Sequence, residues 1–122
     1  MIIVAVLLTA LLGFAGLAID FGNFYLQKAR MQSLADASAL ACAQFDCEEN
    51  DPRLDAVKSP YDMEGVTVRI TQLDVCSEKY PTECAIADVH KQWDTYFIQL
   101  FGVPKLSVAT TATALAGQAE ET

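Results

Sequence analysis

The stretch from Ile2 to Ile19, IIVAVLLTALLGFAGLAI, runs for 18 residues without a charge or a proline, and Thr9 is its only polar side chain. That is the length a helix needs to cross the core of a bilayer. The helical pattern does not stop where the charge begins. After Asp20, apolar or small residues recur at Phe24, Met31, Leu34, Ala35, Ala41, Cys42 and Phe45, spacings of three, four and seven that share one helical face. Alanine stands at 29, 35, 37, 39, 41 and 43, and the first proline is Pro52. A continuous helix of roughly 45 residues would be about 65 to 70 Å long, about twice the depth of a bilayer core. Residues 1–20 therefore suit lipid or an apolar helix bundle, and something else must receive the rest of 1–45.

What remains beyond the helix, about 75 residues, is enough for one small domain with a thin core. Four cysteines, Cys42, Cys47, Cys76 and Cys84, can staple it, and their position beyond an apolar segment fits an oxidising, extracytoplasmic compartment. A net charge of −8, with eight Lys and Arg scattered along the chain, argues against nucleic acid as a partner. No basic residue precedes the apolar run, and the first one is Lys28. The expectation is a processed form whose basic leader lies upstream of Met1; the other reading makes Met1 the initiator of an unusual anchor.

The middle of the chain, residues 46–65, reads as an acidic connector with two prolines and no hydrophobic period. Asp46, Glu48 and Asn50 have the spacing of a calcium loop, but Asp51 stands where that loop requires glycine, so a solvated loop is the better reading. Val66, Val68 and Ile70 then alternate with Thr67, Arg69 and Thr71 as in a half-buried strand. Cys76 and Cys84 bracket a hairpin loop, and a second strand follows from Cys84. Aromatic and aliphatic residues at 93, 96, 97, 100 and 101 predict an amphipathic helix of about two and a half turns, closed by Gly102 and Pro104. Leu106 to Ala114 alternates again as a third strand, and residues 118–122 form a tail.

The predicted fold class is α+β: a long N-terminal helix, then a small three-stranded antiparallel sheet with one short helix, in the order α-β-β-α-β over a domain spanning 66–117. Placing the third strand beside the first gives the expected strand order 2-1-3.

Two stretches carry a resemblance. GFAGLAIDFGNFYLQKARMQSLADASALACA resembles the N-terminal signature of TadG-like proteins of tight-adherence (Tad) pilus systems, with its Asp-aromatic-Gly step at Asp20, Phe21 and Gly22 followed by an Ala-Asp-Ala-rich stretch. WDTYFIQLFGVPKLSVATTATALAG is similar to the closing segment of the same family, an F-x-x-x-F-G element followed by a strand rich in Val, Ser, Thr and Ala. The resemblance covers about half of the chain, its two ends but not its middle. Type IV pilins of the usual kind carry Glu at the fifth position of the mature helix, whereas this chain has Ala5.

The resemblance implies a structural pilin-like subunit of an extracellular Tad or type IV pilus-like filament. It would be anchored in the inner membrane before assembly and partnered by copies of itself and by other pilus subunits. The alternatives are a membrane-anchored accessory or minor tip subunit, and a surface adhesion module on an anchor. Phe14, Asp20, Phe21, Phe24, Lys28 and Arg30 are the candidate assembly residues. With Phe14, Phe21, Phe24 and Tyr25, packing between helices is a commoner use than an electron-hopping stripe.

Chemistry of other kinds finds little support. His90 is the sole histidine and sits on a predicted strand, so neither a Ser/His/Asp nor a Cys/His arrangement can be assembled. The cysteine spacings fit no zinc, iron–sulfur or haem pattern. Gly13, Gly16 and Gly22 lie in or just after an apolar helix and make no phosphate loop. The expectation is no enzyme activity, no cofactor, no metal and no small-molecule substrate.

Disulfides are the better use of the four cysteines, with Cys76 joined to Cys84 across the hairpin neck and Cys42 to Cys47. The second bond requires the helix to end near Ala43 to Phe45. The alternative is a pair of bonds from the helix end to the hairpin loop. Asp20, the first charge after the apolar run, is expected either to pair with Lys28, Arg30 or the N-terminal amine of a neighbouring subunit, or to stay solvated at the membrane edge.

Overall fold

The computed structural model describes residues 1–44, 52–61, 63–76, 78 and 82–115. A long helix α1 (Ile2–Gln44) is followed by a short helix α2 (Pro52–Lys58), strands β1 (Val66–Leu73) and β2 (Cys84–Asp94), a single 3-10 turn (Ile98–Phe101) and strand β3 (Lys105–Leu115). The long helix is unbroken by Gly13, Gly16 or Gly22. Its buried residues are Gly16, Asp20, Met31, Leu34, Ala35, Ser38, Ala39 and Cys42. They form one stripe, because steps of three and four return to the same side of a helix.

The three strands are antiparallel in the order β1-β2-β3, so the expected order 2-1-3 is incorrect. The short helix expected before the last strand is present, but as the 3-10 turn Ile98–Phe101 rather than two and a half turns from Trp93 to Phe101. β2 runs on through Trp93 to Asp94, which pairs with Lys105, and only the 3-10 turn remains between the strands. A link that short cannot carry the chain past β1 to the far edge, so β3 folds straight back on β2. Gly102, at φ 89°, ends the turn in the left-handed region. The acidic connector also holds more structure than expected, since α2 lies within it and buries Leu54 completely.

The core lies between α1 and one face of the sheet. Met31, Leu34, Ala35 and Ala39 pack against Ala87 and Val89 of β2 and Val108, Ala112 and Ala114 of β3. Small side chains on both surfaces let helix and sheet approach closely. A smaller cluster joins Cys42, Leu54 and Ala85. Ser33 and Tyr61 share a hydrogen bond of 2.9 Å, and the Gln72 amide donates to the Cys42 carbonyl at 3.0 Å. The other face of the sheet is polar and exposed, with Thr67, Arg69, Asp88, His90 and Thr111 on it. Gly65, at φ 71°, leads into β1 where an added Cβ would lie 2.5 Å from the Gln92 carbonyl oxygen, so no other residue fits there without a backbone shift.

Candidate assembly surface

The domain grips α1 where the apolar run ends. Asp20 is only 2 % exposed, and its carboxylate accepts three backbone hydrogen bonds: from the N–H of Tyr96 at 2.9 Å, of Phe97 at 2.9 Å and of Ile98 at 2.8 Å. Those amides open the 3-10 turn and have no intraturn acceptor, so the carboxylate takes the place of one. One helical turn earlier, Gly16 lies under the Phe97 ring, where an added Cβ would meet ring carbon Cγ at 2.8 Å. The pair Gly16 and Asp20 is thus a socket: a missing side chain admits the ring, and a carboxylate holds the backbone behind it.

This corrects the expectation of a solvated Asp20. Its own chain supplies three donors, so the carboxylate has partners before any neighbouring subunit is present.

The other candidate residues divide into two sets. Phe14 (72 % exposed) and Phe21 point away from the domain, as do Lys28 and Arg30. Phe24 points inward, with its ring 6.0 Å from that of Trp93 and packed on the core. Residues 1–15 are exposed on every side, so among the described residues the helix's first third makes no buried contact with the domain. Sequence reasoning missed Gly16, Tyr96, Phe97 and Ile98. A signal was present: extending the inward face back from Met31 through Gln27 and Phe24 by helical steps reaches Asp20 and Gly16.

The cysteines are placed as follows. Cys42 is disulfide-bonded, two residues before α1 ends at Gln44. Cys47 lies outside the described residues, as do Phe45, the Asp46, Glu48 and Asn50 spacing and the 118–122 tail. Cys76 and Cys84 are free thiols in contact with each other. The hydrogen bond with Cys76, with burial second, pushes the Cys84 thiol up to about 11. The hairpin neck therefore brings this pair together without joining it.

Residues 1–44 match a family described as putative Flp pilus-assembly TadE/G-like (Tad). No curated protein and no solved structure matches the chain.

Proposed function

We propose that this chain, whose first 44 residues match the TadE/G-like pilus-assembly family, is a structural pilin-like subunit of an extracellular filament. The observation that carries the reading is the division of α1. Its second half is committed to its own domain, while the apolar residues before Gly16 are exposed all round, with none of the other described elements burying them. The most apolar 18-residue window of α1 has a mean hydropathy of 2.7, and 6 % of it is buried. A helix satisfies its own backbone in lipid and can exchange lipid for identical helices without exposing a polar group. Before assembly the same residues hold the subunit in the inner membrane; after it they form the filament core, with copies of the chain and other pilus subunits as partners. Deleting the gene and imaging the cell surface by electron microscopy tests this: filaments should vanish and return on complementation.

One observation favours the second reading, an anchored accessory or minor tip subunit. Asp20 is satisfied within the chain by three backbone donors, so the anchored subunit needs no neighbour to hold that charge. Filaments that form in normal number without this chain, or that carry it only at their tips, would select that reading.

A further inference from the structure

We propose that the β2–β3 loop, Thr95–Pro104, is a membrane-interface foot that enters the headgroup side of the bilayer and sets the depth at which α1 sits. The proposal rests on the membrane-anchored stage of the reading above. Residues 96–103, YFIQLFGV, carry no charge, and charges return only at the neck, where Lys105 and Asp94 approach to 3.8 Å. Apart from Phe97, which sits on Gly16, the apolar side chains of this loop are turned outward: Tyr96, Leu100 (79 % exposed), Phe101 (75 % exposed) and Val103. In a water-soluble loop such side chains would be costly to display together.

The backbone of the loop is equipped for a dry environment. Asp20 takes the N–H groups of Tyr96, Phe97 and Ile98. The turn takes three more, Leu100 to the Phe97 carbonyl, Gly102 to that of Gln99 and Val103 to that of Ile98. Thr95 closes the neck, its N–H donating to the Pro104 carbonyl at 3.0 Å and its hydroxyl to that of Val103 at 2.7 Å. Amides already bonded inside the protein can leave water at little cost.

Depth decides the occupant. The 18 uncharged residues from Ile2 to Ile19 span about 27 Å as a helix, close to the roughly 30 Å of a bilayer core. The domain end of that span must therefore lie at one edge of the hydrocarbon, and the loop is fixed there by its contacts with Gly16 and Asp20. The exposed apolar surface of the loop continues that of α1. Aromatic side chains at this depth suit the interface, where a ring can lie in the acyl chains with its polar neighbours in the headgroups.

The test uses the full chain in phosphatidylcholine vesicles with lipids brominated at defined acyl depths. Trp93 is the sole tryptophan, so Trp93→Phe combined with Phe101→Trp reports the loop, and Trp93→Phe with Leu8→Trp reports the helix. The expected result is blue-shifted emission at position 101, quenched most by bromines near the headgroup, and quenching at position 8 by deep bromines. Because Trp93 packs on Phe24, the unmodified chain is also labelled with a photoactivatable lipid, which should mark peptides from both 2–19 and 96–103. Lipid contact at the helix but water around the loop overturns this proposal and leaves the anchor standing. Lipid contact at neither overturns both. A loop wet in vesicles but shielded in filaments assigns it to a neighbouring subunit instead.

Discussion

At Asp20 a single carboxylate joins two parts of the chain separated by more than seventy residues. An Asn side chain would offer one acceptor oxygen where the carboxylate offers two, and would turn an N–H₂ toward backbone donors. Asp20→Asn should therefore free the 96–98 amides in the monomer, before any assembly, seen as faster hydrogen exchange there. Unchanged exchange at those amides would mean that the carboxylate does not hold the loop. Cys84 makes a different prediction. Its thiol is raised from 9.0 to about 11, so in the reduced protein little thiolate exists at neutral pH, and alkylation of Cys84 should accelerate as pH climbs toward 11. The sign for stability follows: above 9.0 the unfolded chain loses this proton before the folded one does, so the stability present below that pH falls as pH rises to about 11. An alkylation rate already at its maximum near pH 8 would contradict the burial and the contact with Cys76. In an oxidising compartment we expect the two adjacent thiols to close. Non-reducing peptide mapping should find Cys76 joined to Cys84 and Cys42 to Cys47; a Cys76 peptide joined to either of the other two would refute that pairing.

At the scale of the element, α1 is one helix with two solvents. Leu34 is fully buried between helix and sheet, so Leu34→Ala should lower the stability of the domain by about 2 to 5 kcal/mol. Phe14, on the exposed half, should shift it by less than about 0.5 kcal/mol on truncation to Ala. Urea unfolding in detergent, followed by the fluorescence of Trp93, compares the two, and similar losses would show that the two halves share one environment. The β2–β3 connection shows why the strand order was hard to read. Trp93, Tyr96, Phe97, Leu100 and Phe101 have helical spacing, but β2 extends through Trp93, which packs on Phe24, while three of the others are turned outward around a 3-10 turn. Periodicity reports which residues are apolar at regular steps, not which surface receives them.

For the whole molecule, the anchored and assembled stages of the proposed function would ask for the same apolar residues, so a variant must separate them. Phe14→Ser with Phe21→Ser leaves most of the apolar run intact, and both side chains face away from the domain. Membrane insertion should persist while filament yield falls sharply, measured by fractionation and by electron microscopy of sheared filaments. Normal filaments from the double variant would remove these two rings from the assembly surface.

The sequence by itself determined the helix, the strands and their alternation, and the match of the first 44 residues to a pilus-assembly family, because these rest on local periodicity and on a continuous run of residues. His90 on an exposed strand face was legible for the same reason. Only the tertiary structure decided the strand order and the partner of Asp20. Each depends on where a distant segment lies: a carboxylate that looked like a charge awaiting a neighbour is satisfied by amides of residues 96–98, brought to it by the return of β2 along α1. Spacing along a chain says which side of a helix a residue occupies, and folding says what stands opposite.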